Sequence, residues 1–180
     1  MYRRTQVSQR VDPRTWEIVC VVEAARQLIA NMSAFGLEIS EDQICVVPKG
    51  ATKHDALDAL IAAVGTNPVV TDVEAFRAAV YEREAIMSTG IGDGIAIPHV
   101  RIPEITEATL GVGIAPHGLP FDTLDNKPVH VLVLFATPAG SDKEYLSLLA
   151  QVMLSLRDKS LFDGLVACKT SKEVYTLLNG

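Results

Sequence analysis

The sequence predicts an α/β domain built on a mixed parallel and antiparallel central sheet flanked by helices on both faces. Three observations carry this. Segments with helical spacing and segments with strand character are interspersed along the chain, without the strict alternation of an all-parallel sheet. Residues 129–137, VHVLVLFAT, are apolar enough to lie at the sheet centre. A chain of 180 residues, 48% apolar and 21% charged, can bury a proper core without disulfide or metal staples.

Each element follows from local chemistry. Residues 13–32 read as a first helix, with Asp12 to cap it, Pro13 in its first turn and Gly36 as its stop. It is read as a core-packing or dimer-forming helix, so residues 1–36 are taken as an N-terminal helical extension and residues 37–180 as the domain proper. A short strand over 44–47 ends at Pro48 and Gly50. Thr52 opens a helix in which Ala56, Leu57, Leu60, Ile61 and Val64 recur at helical spacing. Thr71 with Glu74 predicts a capping box for the next helix, which runs to about Glu84 and buries Ala75, Phe76, Ala79 and Val80. A glycine-rich turn over 90–94 leads into a strand over 95–97, which Pro98 ends. A strand over 109–115, a loop over 119–127 with Asp125-Asn126 turn chemistry, and the central strand follow. Ser141 and Glu144 predict a second capping box, opening a helix that carries Leu146, Leu149, Val152, Met153 and Leu156. A shorter helix covers 161–166. Thr170 and Glu173 cap the last one, with Val174, Leu177 and Leu178 on its apolar face.

Bulk properties exclude several function classes. A net charge of −6 argues against nucleic acid as the main partner, because binding a phosphate backbone requires clustered Lys and Arg. Arg3, Arg4, Arg10 and Arg14 are too diffuse to form such a cluster and read as a solvated tail. Cys20, Cys45 and Cys168 are scattered and flanked by apolar residues, as buried free thiols in a reducing compartment would be. No histidine pair has metal-ligand spacing, so neither metal nor cofactor is expected. The N-terminal MYRRTQVSQR leads into a helix with internal charges rather than a signal-type apolar region, and no apolar run approaches the roughly 20 residues of a membrane span. A cytoplasmic protein without membrane insertion is the expectation.

The chemistry concentrates in residues 83–100, REAIMSTGIGDGIAIPHV. His99 follows an apolar run and a proline, with glycines before it and an arginine sixteen residues earlier. An isolated Pro-His would be read as structural. In this setting the imidazole, neutral and nucleophilic near pH 7, suits a covalent phosphate carrier, with nearby N–H groups and a guanidinium to hold phosphoryl oxygens. Ser88, Thr89, Gly90, Gly92 and Gly94 read either as a flexible turn or as a backbone surface that approaches phosphate closely. The segment is not a Walker motif, since no Gly-Lys-Ser/Thr follows, nor a dinucleotide fingerprint, since Ile95 stands at the third glycine position. His54 is expected to be exposed, His117 to lie in a Pro-His-Gly turn, and His130 to be a satisfied strand histidine.

Glu84, Ile91, Gly92, Ile95, Ala96, Ile97, Pro98 and His99 resemble the signature of the phosphotransferase-system enzyme IIA domains of the fructose/mannitol type, including their nitrogen-regulatory relatives, and the wider resemblance runs from about Leu37 to Leu178. It implies the enzyme IIA mannitol/fructose-like fold. It implies a phosphotransferase component in which His99 accepts a phosphoryl group from a histidine phosphocarrier protein and passes it to a sugar-transporter IIB component. The alternative is a stand-alone regulatory IIA that signals its phosphorylation state by binding partner proteins. Arg83 takes the place of the arginine that pairs with the phosphoryl group, and Glu84 that of an acceptor holding the turn. Two positions depart from the pattern. Val100 stands where the family usually has Gly, Ala or Cys. Tyr145 stands where members often carry a second histidine; it is read either as a hydrogen-bond donor to phosphate or as a surface aromatic at a helix start, and with a free pKa near 10 it is a poor proton exchanger.

Overall fold

The computed structural model describes residues 33–180, and the predicted first helix, the extension over 1–36 and dimerisation through it lie outside the described residues apart from 33–36. Six strands form one mixed sheet: β1 (Ile44–Val46), β2 (Gly90–Gly92), β3 (Ile95–Ala96), β4 (His99–Ile102), β5 (Thr109–Leu119) and β6 (Val129–Pro138). Their order is β1-β5-β6-β3-β2, with β4 also on β6. β1 runs parallel to β5, β3 and β4 run parallel to β6, and β5–β6 and β2–β3 are antiparallel. The described helices are α1 (Lys53–Gly65), α2 (Val73–Ile86), α3 (Asp142–Leu156), α4 (Lys159–Ala167) and α5 (Ser171–Asn179).

Strand alternation in β6 sets the two layers. Val131, Val133 and Phe135 join a core with Leu148, Val152 and Leu156 of α3, Leu165 of α4, and Val174 and Leu178 of α5. Leu132, Leu134 and Ala136 join a second core with Leu57, Leu60, Ile61 and Val64 of α1 and Phe76 and Val80 of α2. The predicted central strand is therefore central and covered on both faces. α1 packs close because β5 carries glycine beneath it: a Cβ on Gly111 would stand 2.6 Å from Val64 Cγ2 and 2.9 Å from the Gln43 carbonyl oxygen.

Several local expectations are corrected. α2 is capped by Asp72, whose carboxylate accepts from the N–H groups of Glu74 and Ala75, while Thr71 donates its hydroxyl to the Glu104 carbonyl. Ala75 and Ala79 are only half-buried. Ser141 precedes α3 without a side-chain cap hydrogen bond, and Leu146 is 61% exposed rather than part of the core face. The expected turn over 90–94 is a tight hairpin: β2 pairs with β3, and Asp93 and Gly94 take positive φ between them. His117 lies within β5, which is longer than expected, not in a turn.

The strand was expected to stop at Pro98, yet the chain continues along β6 beyond it. Ile95 and Ala96 pair with Val131 and Leu132, the Pro98 carbonyl accepts the Phe135 N–H at 3.1 Å, and His99–Ile102 then pair with Phe135–Pro138. Proline removes one donor but leaves its carbonyl to keep the ladder in register. Among the described residues β4 has β6 as its one strand partner, so side chains from helices on either face of the sheet can reach it around the edge.

Candidate functional site

His99 opens β4, opposite Phe135 in register, and the two rings stack with centroids 5.6 Å apart. Tyr145, in the first turn of α3, meets the imidazole edge-on at 5.5 Å. Arg83 arrives from the last turn of α2, on the other side of the sheet. Its Nε–H donates to His99 Nε2 at 3.2 Å, and its Nη1 donates to the Met87 carbonyl at 2.9 Å. His99 Nδ1 lies 2.8 Å from the Ile97 carbonyl. A carbonyl only accepts, so in the neutral ring Nδ1 carries the proton and Nε2 holds the free lone pair.

These groups line an open cleft of about 490 Å³ that also includes Arg101 and Ile86. Burial lowers the His99 pKa, and the charges of Arg83 and Arg101 lower it further; the Ile97 carbonyl and Glu84 oppose the shift without reversing it. The ring is thus held neutral, nucleophilic at one nitrogen and fixed in tautomer by the other.

The support behind the histidine begins at Glu84. Its buried carboxylate accepts the Thr89 hydroxyl at 2.6 Å and the Thr89 N–H at 3.1 and 3.2 Å, and it pairs with Lys53 at 2.7 Å. Burial alone would lower the Lys53 pKa, but Glu84 and Asp122 outweigh it and the pKa is raised. The Thr89 carbonyl accepts from Ile97 N–H at 3.0 Å, and the Ile97 carbonyl then takes the His99 proton. Glu84 is therefore an acceptor that holds the backbone before the hairpin, as expected.

Of the residues singled out from sequence, the structure brings together His99, Arg83 and Tyr145. Ser88, Thr89, Gly90, Gly92 and Gly94 lie in the segment before His99 and are not among the residues that line this cleft. The donors of Thr89 are taken by Glu84, Ser88 Oγ accepts from Gly90 N–H, and Gly92 and Gly94 flank Asp125 and Phe162. Val100 is buried in the core with the α1 and α2 side chains, so the departure from Gly, Ala or Cys falls on the face of β4 opposite His99. His130 is a satisfied strand histidine, its Nδ1 3.1 Å from the Ala115 carbonyl, and His54 is exposed. Cys45 and Cys168 are free thiols, and burial pushes Cys45 up to about 11. No group of three or more metal-ligating side chains occurs among the described residues, and no described helix is long and apolar enough to cross a membrane.

Sequence reasoning missed Arg101 and Lys53. Arg101 stands two residues beyond His99 on one strand, hence on the same face. That alternation would have exposed it had the strand not been ended at Pro98. Lys53 had no comparable signal, since it meets Glu84 through tertiary packing alone.

A histidine fixed in tautomer thus stands at a sheet edge and shares one cleft with the guanidinium groups of Arg83 and Arg101. The sequence model described as "Phosphoenolpyruvate-dependent sugar phosphotransferase system, EIIA 2" matches residues 39–180, and the chain belongs to that family. It is 38% identical over 101 residues to the nitrogen regulatory protein of Escherichia coli, covering 56% of this chain and 62% of that protein. It is 29% identical over 128 residues to the fructose-specific EIIA component of Haloferax volcanii, covering 71% of this chain and 83% of that one. The match to the Bacillus subtilis fructose-specific EIIABC component takes in 71% of this chain and only 20% of that longer protein, at 24% identity. Among solved structures, nitrogen regulatory protein IIA-Ntr from Neisseria meningitidis superposes with TM-score 0.70 at 22% identity, covering 83% of this chain and 98% of that one. IIAMtl in its complex with phosphorylated IIBMtl from Escherichia coli superposes with TM-score 0.63 at 18% identity, covering 77% and 95%. At these identities the superpositions show the fold, which is the mannitol/fructose enzyme IIA fold expected from the sequence.

Proposed function

We propose that this chain is a phosphocarrier that is transiently phosphorylated on Nε2 of His99. The observation that carries the reading is the pair of hydrogen bonds on the imidazole: Nδ1–H to Ile97 and Nε2 from Arg83. The Nε2 lone pair attacks the phosphorus of the donor's phosphohistidine. The new N–P bond forms as the donor's N–P bond breaks, and that electron pair returns to the donor ring. No proton has to move, and the Ile97 carbonyl faces the positive charge that develops on the ring. Arg83 Nε–H, losing its lone-pair partner, is placed to turn to a phosphoryl oxygen. Ile86, 81% exposed and lining the cleft, supplies an apolar contact for a docking partner beside Glu82, Arg83 and Arg101.

The donor is a histidine phosphocarrier protein and the acceptor a sugar-transporter IIB component, in the cytoplasm. Incubation with phosphoenolpyruvate, enzyme I and the phosphocarrier should add one acid-labile phosphate, read by intact mass, to the native chain and none to His99→Ala. Equal labelling of the two would overturn the site; no labelling of either would overturn the activity.

A second reading, a regulatory IIA that binds partner proteins according to its phosphorylation state, is supported by the likeness to nitrogen regulatory proteins, 38% identical over 101 residues, beside that to the fructose-specific component, 29% over 128 residues. Rapid transfer of label to a IIB component supports the transport reading. A partner whose binding depends on phosphate, without onward transfer, supports regulation.

A further inference from the structure

We propose that Arg101 is a second phosphate-binding cation of this site, held on the Tyr145 ring by Asp142 and released to the phosphoryl group once His99 carries it. The inference rests on the phosphocarrier reading. A phosphoryl group brings a charge of about −1.5 to −2 into the cleft near pH 7. Arg83 supplies one positive charge, and one of its nitrogens is tied to the Met87 carbonyl. The side chain at 145 cannot supply another, because a phenol never carries positive charge, whereas an imidazole can.

Its ring face does something else. The Arg101 guanidinium lies 4.6 Å from the Tyr145 ring centroid, while that same ring touches His99 edge-on. Arg101 lines the cleft with His99 and Arg83 and shares the His99 face of β4. Its carboxylate partner, Asp142, is 72% exposed, and Arg101 itself is 45% exposed. Such a surface ion pair has little net worth and yields readily to a dianion that a planar guanidinium can bind through two oxygens. Tyr145 is then the platform on which the guanidinium pivots, and Asp142 is its resting partner. The tyrosine thereby restores, through a neighbour, the positive charge that a second histidine could carry.

The test is a 31P NMR pH titration of the full chain phosphorylated with phosphoramidate, whose P–N bond breaks as the Nε2–P bond forms and ammonia leaves. The phosphoryl pKa should rise in Arg101→Ala by about one unit, the lower end of what a neighbouring cation produces. Arg101→Lys should return most of that shift. Asp142→Asn, which frees Arg101, should move the pKa below the native value. All of these residues are surface-exposed, so the variants should fold. Arg101→Ala and Asp142→Asn curves that superimpose on the native curve would overturn the proposal. Failure of the native chain to take up phosphate on His99 would overturn the phosphocarrier reading and this inference with it.

Discussion

Replacing Glu84 with Gln tests whether a buried carboxylate holds the reactive ring in place from a distance. Glu84 is 8% exposed and accepts from both donors of Thr89 while pairing with Lys53. In the best orientation the Gln carbonyl faces Thr89 and its NH2 group faces Lys53. Two charge-assisted hydrogen bonds then become neutral ones, a loss of about 1 kcal/mol for the pair after the oxygen readjusts. Lys53 loses its better-buried partner but keeps Asp122, and it is 26% exposed, so this loss is about 1 kcal/mol rather than the 3–5 kcal/mol of a fully buried pair. Glu84→Gln should therefore destabilise by about 2 kcal/mol, and Glu84→Ala, which leaves the Thr89 N–H and hydroxyl without partners, by about 4 kcal/mol. The assay is denaturant unfolding, read as a change in midpoint at unchanged slope. A double-mutant cycle with Lys53→Met should return a coupling of about 1 kcal/mol. In the same samples, 15N spectra of His99 should show partial loss of the Nδ1–H tautomer, since the chain of bonds from Glu84 through Thr89 ends at the Ile97 carbonyl. Stability within about 0.5 kcal/mol of native, with an unchanged tautomer, would refute the reasoning.

Other outcomes follow from single contacts. Arg83→Ala removes a cation and a lone-pair donor that both disfavour the protonated ring, so the His99 pKa, followed by NMR, should rise toward its ordinary value near 6.5; a fall would contradict the assigned geometry. Because the native His99 pKa lies below the unfolded one, the unfolded chain takes up this proton first: the stability associated with His99 should be lost as pH falls below about 6.5, and Arg83→Ala should flatten that slope. Gly111→Ala forces a Cβ to 2.6 Å from Val64 Cγ2 and must push α1 off the sheet, which should cost about 1–3 kcal/mol and lower Tm by several degrees; an unchanged Tm would show that α1 yields freely. Asp72→Ala removes the acceptor of two N–H groups at the start of α2 and should cost about 1 kcal/mol, where Thr71→Ala should spare the cap and lose the bond to Glu104.

What could be read from the sequence was what periodicity and local capping encode. The helical repeat of Ala56, Leu57, Leu60, Ile61 and Val64, the apolar run of β6 and the cap at Thr52 all survive in the structure because each follows from its own neighbours in the chain. β2 and β4 were lost because each depends on a partner strand. Gly90–Gly92 lacks strand propensity and is a strand through its pairing with β3, and β4 follows a proline whose missing N–H is compensated by its carbonyl. His99, Arg83 and Tyr145 could be named because they fall at a recognisable spacing. Arg101 was passed over because the strand was ended at Pro98, and Lys53 because only the packing of α1 brings it to Glu84. Leu146 shows the converse: helical spacing marked it as core, yet it stands out in solvent next to Tyr145 in the chain.

The two halves of the cleft are anchored to parts of the molecule that open by different routes. His99 is hydrogen-bonded into β6, whose residues 131–136 are without solvent exposure, so β6 amides should exchange with deuterium only as the whole domain unfolds. Arg83 sits in the closing turn of α2, where Glu84 is anchored by Thr89 and Lys53, but Ile86 and Met87 beyond it are both largely in water, and this end can fray while the sheet stays intact. On the proposed reading, the phosphate acceptor is thus held as firmly as the fold itself, while the Met87 carbonyl that ties Arg83 belongs to a segment able to let go on a much faster clock.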